Sequence, residues 1–227
     1  MELFDVLRSG DVFQICAYLI SIVIILFVLF PLHEFSHAWS AYKLGDSTAK
    51  YSGRLTINPF KHLDLMGSIL ILVAGIGWAK PVPVNPLNFK NSKAGMALTA
   101  AAGPISNLFF AIFCMILSRI LRLFVGGNLL LLIIIGMILE MTAIMSLSLA
   151  VFNLIPCPPL DGSRIFAFFL PAKANEFFYR YERYINLAFL LLLITGILST
   201  PISWLVDKCY TGIDFVLGLI FRLFGAL

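Results

Sequence analysis

The feature that most constrains this chain is an apolar run from Val12 to Phe30 without a single charge, followed almost at once by His33 and Glu34. As a helix, 19 residues extend about 28 Å, close to the thickness of a bilayer's hydrocarbon core. The helical pattern continues to Tyr42, and Pro31 is expected to bend or loosen it just before His33. Three further apolar blocks follow: Ala94–Leu121, interrupted by Gly103-Pro104; Leu129–Ile155, ending at Pro156; and Tyr184 to about Ser199, stopped before Pro201.

Composition agrees with these blocks. Hydrophobic residues make up 60% of the 227 positions and charged residues only 12%, with a mean hydropathy of +0.97. A soluble domain needs about twice that charged fraction. The expected fold is an all-α polytopic membrane protein with about four to six membrane segments, forming a single domain over 1–227. Its motif core occupies 12–170 and C-terminal membrane segments occupy 184–227. The first eleven residues carry acids and no cleavage site, so the first block reads as a retained span. Cys16, Cys114, Cys157 and Cys209 are far apart and form no C-x-x-C pair, which favours small packed residues over a disulfide framework.

Between the blocks lie shorter segments. Residues 43–64 are polar and rich in turn residues, and Arg54–Ile57 has strand character, so a small β hairpin is expected near 47–60. Residues 65–79 are too short and glycine-rich for a straight span and read as a re-entrant or interfacial segment. A proline-rich loop follows at 80–93. The tail 213–227 reads as a short span or an amphipathic helix on the membrane.

Basic residues give an orientation. Placing 43–93 and 161–183 on one side gathers Lys43, Lys50, Arg54, Lys61, Lys80, Lys90, Lys93, Arg164, Lys173, Arg180 and Arg183 there, eleven of the sixteen Lys and Arg. The positive-inside rule makes that side cytoplasmic. No basic run interleaved with aromatics suggests nucleic-acid binding. The expected setting is a multi-pass protein of the cell membrane, with the bilayer itself as a partner.

The chemistry sits in His33-Glu34-x-x-His37. Histidines at i and i+4 share one helix face and can reach a single ion, and the intervening Glu is placed to act on water beside it. The plain alternative is two helix histidines facing a polar cavity. Against it, an ionisable group at this depth costs about 2.5–3.5 kcal/mol, and the chain spends two of its three histidines here. The third, His62, lies beside Lys61 and Asp64 and reads as a surface residue. Zinc generally takes a third protein ligand. Asp161 is the best candidate, in Asn153-Leu-Ile-Pro-Cys-Pro-Pro-Leu-Asp161-Gly162, where prolines unwind the helix. Asp161 as a helix cap explains the same pattern equally well.

Three motifs together resemble the site-2 protease family. They are His33–His37, Gly103-Pro-Ile-Ser-Asn107, and the Asn153–Gly162 segment, in the family's order. The stretch Gly77-Trp-Ala-Lys-Pro-Val-Pro-Val-Asn-Pro86 is similar to small prokaryotic members without PDZ or other extra domains. The resemblance implies a zinc-dependent endopeptidase that cuts transmembrane protein substrates, with one Zn2+ per chain. His33, His37 and Asp161 are the implied ligands and Glu34 the implied base, in a site that opens toward the cytoplasm. Gly103 and Asn107 are then a helix contact near the site, and Asn153 a residue facing substrate or a developing oxyanion. Residues 47–60 correspond to a β region that presents an edge strand to unwound substrate. Two other functions fit part of the pattern. A cation transporter would also keep polar residues inside the membrane, and a non-catalytic relative would bind membrane helices without cutting them.

Overall fold

The computed structural model describes Arg8 and residues 10–74, 77–124 and 130–223. The first helix, α1 (Val12–Ile24), starts where Asp11 accepts hydrogen bonds from the amides of Phe13 and Gln14. It passes through a π-helical turn, Ile25–Leu29, into α2 (Phe30–Lys43). This turn is the loosening expected at Pro31. A proline in a continuing helix lacks its N–H and crowds the preceding turn, and a wider turn relieves that crowding.

The connection to the next long helix is where expectation and structure part. No β hairpin forms over 47–60, and no strand exists among the described residues. The segment instead holds a single helical turn, α3 (Thr48–Tyr51), and a 3-10 turn, Pro59–Lys61. Its polar groups are satisfied by backbone turns and side chains instead of a neighbouring strand. The Asp46 carboxylate takes the Thr48 amide and hydroxyl, His62 Nε2 meets the Thr56 carbonyl at 2.7 Å, and the Arg54 guanidinium donates to the carbonyl of Lys61. With the Arg54 amide turned back to the Ala49 carbonyl and the Thr56 carbonyl taken by His62, the four-residue strand pattern joins no ladder. The edge strand expected here for substrate is therefore absent as well.

Helix α4 (Leu65–Ala74) is about 15 Å long, half of what a span needs. An antiparallel bridge between Leu63 and Ala79, with the Lys80 amide donating to the His62 carbonyl at 2.7 Å, closes the segment. Leu63 and Ala79, at its two ends, therefore lie together. Gly75 lies outside the described residues.

Helix α5 (Ser92–Phe124) is the centre of the fold and packs against α2, against α6 (Leu130–Asn153) and against α7 (Asp161–Phe169). It runs unbroken through Pro104, where an interruption was expected. Small and hydroxyl side chains line the helix contacts: Ala100, Ala111, Ala143, Ala150, Thr142 and Ser146 are all buried. Ser146 Oγ donates to the Asn107 carbonyl at 2.7 Å, joining α6 to α5. Close approach and interhelical hydrogen bonds of this kind hold helices together where lipid removes the hydrophobic drive.

Helix α8 (Ala172–Ile194) begins well before the expected Tyr184 and is followed, after an 80° bend, by α9 (Ser199–Leu223). Pro201 does not end this region. It lies in the first turn of α9, where a missing N–H costs nothing. The tail expected as a separate element from 213 is the second half of α9, tied to α5 by Arg119 and Asp214 at 2.7 Å. Residues 224–227 lie outside the described residues, as do Leu129 and all of the first nine except Arg8.

Three described helices are long and apolar enough to cross a membrane, over Val12–Lys43, Ser92–Leu123 and Leu130–Asn153, and the bent α8–α9 pair makes four if it counts as one span. That is the lower end of the expected range. Large apolar side chains such as Phe13, Ile20, Val23, Phe109 and Phe113 point outward, as a lipid-facing surface requires.

Candidate metal centre

His33 and His37 are one turn apart on α2 and both buried, with their imidazoles facing α5. Asp161 reaches them from the first turn of α7. Its Oδ2 lies 3.3 Å from His33 Nε2 and 3.2 Å from His37 Nε2, and the two Nε2 atoms are 3.0 Å apart. The capping alternative for Asp161 is not what the carboxylate does here, since the N-cap of α7 is Leu160 and no side-chain cap bond forms. Gly162 explains how α7 can start at this place. A Cβ there would lie 2.3 Å from the Leu154 carbonyl oxygen, so only glycine lets the helix begin against the end of α6.

The three donor atoms fit a metal. Zinc at about 2.0–2.2 Å from tetrahedral N and O ligands separates those ligands by about 3.3–3.6 Å, and the observed triangle, with edges of 3.0 to 3.3 Å, is slightly tighter. His37 Nδ1 lies 2.7 Å from the Thr99 carbonyl, to which it donates, so its Nε2 lone pair faces the triangle. Such an outer bond fixes the tautomer and the ring plane of a ligating histidine. The imidazoles also leave no spare room: a Cβ on Gly103 would sit 2.4 Å from His37 Nε2 and 2.5 Å from His33 Cε1. Among the described residues this is the single group of three or more His, Cys, Asp or Glu side chains able to share an ion.

Glu34 is buried beside the triangle, and its Oε2 accepts the Val82 amide at 3.0 Å. Val82 belongs to the proline-rich loop, which sequence reasoning left without a role. Of the other expected residues, Gly103 touches the ligand rings. Asn107, one turn further along α5, is buried with Oδ1 unpartnered among the described residues. Asn153 spends its amide on the Leu149 carbonyl of its own helix at 3.0 Å.

His62 corrects another expectation. It is fully buried, not on the surface, and Nδ1 has no partner among the described residues. Burial, with the nearby Arg54 charge, pushes its pKa below the ordinary histidine value despite the bond to Thr56. Asp46 shifts down as well. Burial alone would raise it, but hydrogen bonds from Thr48, Asn88 and Asn85 outweigh that. Burial raises the Cys157 thiol, in the loop before Asp161, so it is no candidate thiolate ligand.

Apolar helices built around two histidines and an aspartate define a membrane metalloprotease, and the comparisons agree. Residues 120–196 match the sequence pattern of Peptidase family M50, a stretch that includes Asn153 and Asp161. Over 208 residues the chain is 40% identical to a Bacillus subtilis strain 168 protein named "Putative zinc metalloprotease YwhC", covering 91% of this chain and 93% of that one. A Mycolicibacterium smegmatis protein named "Putative zinc metalloprotease Rip2" is 28% identical over 194 residues, covering 81% of this chain and 69% of its own. The chain belongs to peptidase family M50, the site-2 proteases. No solved structure matches it.

Proposed function

We propose that this protein is an intramembrane-cleaving zinc endopeptidase of the cell membrane, with one zinc per chain held by His33, His37 and Asp161 and with Glu34 as general base. The observation that carries the reading is depth. His33 lies ten residues before Lys43 at the polar end of α2, and Gly103 lies ten residues after Lys93 at the polar start of α5. Counted along both helices, the triangle is about 15 Å from these polar ends, which supports a site within a hydrocarbon core about 30 Å thick.

Zinc held by His33, His37 and Asp161 would supply Lewis acidity to water and to the scissile carbonyl. The rest falls to the chain. The His37–Thr99 bond keeps one imidazole aimed. The Val82 amide occupies one Glu34 oxygen, leaving the other to take a proton from the attacking water and return it to the departing amine. A transmembrane substrate must unwind near the cut, because its helical carbonyls are already hydrogen-bonded and shielded by side chains. Helix-breaking residues in the substrate therefore favour cleavage. Asn107 and Asn153 act in this reading through helix packing.

The polar ends of α2 and α5 gather the basic residues, so the site opens to the cytoplasm in a multi-pass arrangement. A cavity of about 750 Å³ lies at that end, lined by Val84, Lys93, Pro158 and Ser163 among others and by none of His33, Glu34, His37 and Asp161. The test is cleavage of a purified single-span substrate in detergent. Chelation should abolish it, zinc should restore it, and Glu34→Gln should keep zinc while losing at least about 10² to 10⁴ in rate. Undiminished cleavage by Glu34→Gln removes Glu34 as the base, and zinc-independent cleavage removes the metal from the reaction.

A further inference from the structure

The loop that meets Glu34 is built to hold still. In Lys80-Pro-Val-Pro-Val-Asn-Pro86 the prolines remove amide donors at positions 81, 83 and 86. Two of the donors that remain go to carboxylates: Val82 to Glu34 at 3.0 Å, and Asn85 to Asp46 at 2.7 Å. The Asn88 side chain adds a second bond to Asp46 at 2.6 Å. On the other side of Val82, the Arg54 guanidinium donates to the carbonyls of Lys80 and Pro81, the latter at 3.1 Å, and also to Lys61. Residues 80–88 are thus a strap pinned at both ends, with its one contact to the candidate base in between.

Arg54 is an unusual pin. It is buried, and among the described residues it makes no ion pair within salt-bridge distance. A buried charge that spends its donors on loop carbonyls is costly, whereas a rigid guanidinium fork can fix two chain segments at once. Its charge also lies close enough to Glu34 to interact with it.

We propose that Arg54 is a positioning residue for the reaction: it holds the Lys80 and Pro81 carbonyls so that the Val82 amide stays on Glu34 and keeps that carboxylate aimed at the metal site. This rests on Glu34 being the base. Arg54 is hydrogen-bonded to neither the metal ligands nor Glu34, and the positioning effect proposed here passes through the strap.

The test is a double-mutant cycle on zinc-loaded, purified protein with a single-span substrate. Arg54→Gln removes the pin. Val82→Pro removes the amide proton. Each should retain zinc, leave KM within about twofold and lower kcat by about ten- to a hundredfold, the scale of a misplaced catalytic group. The double variant should be no slower than the slower single one, since both act on the same contact. Should Arg54→Gln not fold, Arg54→Lys keeps the charge without the fork and carries the same test. An unchanged kcat, a lost zinc, or losses that multiply in the double variant overturn the proposal. A second readout needs no turnover: amide exchange across 80–88 should quicken at least tenfold in Arg54→Gln, and an unchanged rate likewise overturns it. A wild-type protein that binds zinc but does not cleave overturns the peptidase reading instead, and the exchange arm then still decides whether Arg54 pins the strap.

Discussion

Gly103→Ala is the smallest change that reaches the centre of the site. The added methyl carbon would stand 2.4 Å from His37 Nε2, 2.5 Å from His37 Cε1 and 2.5 Å from His33 Cε1. Ordinary carbon contacts begin near 3.5 Å, so both rings must retreat by about 1 Å. Metal–ligand distances tolerate only about 0.2 Å. Losing an outer-shell partner costs about 10- to 100-fold in metal affinity, and displacing two ligands costs at least the upper value, about 2.7 kcal/mol. Helix stability moves the other way, since alanine is better than glycine inside a helix by roughly 0.5–1 kcal/mol. The variant should therefore fold and lose zinc. The assay is zinc content across a series of buffered free-zinc concentrations, with monodispersity as the folding check. Gly136→Ala is the control, because nothing lies within 4 Å of a Cβ at that position. Wild-type zinc affinity in Gly103→Ala would refute the packing argument and the ligand triangle with it.

Asp161→Asn should lose zinc after dialysis with the fold intact, because an amide is a poor zinc ligand and no cap bond is there to be lost; near-stoichiometric zinc would return the carboxylate to a structural role. His62 predicts acid sensitivity. Its folded pKa lies below its unfolded value, so the unfolded chain binds the extra proton first and stability declines as pH falls below about 6.5. His62→Gln should flatten the thermal midpoint between pH 7 and 5.5, and an unchanged slope would assign it to other groups. Cysteines replacing the exposed Tyr51 and Leu87 should react with impermeant reagents from the cytoplasmic side alone; labelling from outside would invert the proposed orientation.

What the sequence carried was chiefly what side chains announce. Helical spacing placed His33 and His37 on one face, and prolines beside Asp161-Gly162 marked an irregular backbone at the end of a span. The structure brings these together across α2 and α7. Backbone partners carry no such mark: nothing in a threonine predicts that the Thr99 carbonyl aims His37, and nothing in a valine that the Val82 amide meets Glu34. The hairpin failed for a related reason. Arg54–Ile57 has strand-like residues, but side chains of Asp46, Arg54 and His62 take up nearby backbone groups, and a pattern of strand-forming residues carries no mark of such bonds. Prolines misled in both directions. Pro31 does loosen its helix, whereas Pro104 sits within an unbroken helix and Pro201 within a first turn.

The most direct test of the whole account is the position of the cut. Incubate the zinc-loaded protein with a single-span substrate in lipid vesicles and map the product termini by mass spectrometry. A triangle about 15 Å inside the polar rim predicts a scissile bond within the substrate's apolar stretch, several residues from either charged flank. Cleavage confined to the polar flanks, with the apolar stretch left whole, would contradict an active site inside the membrane.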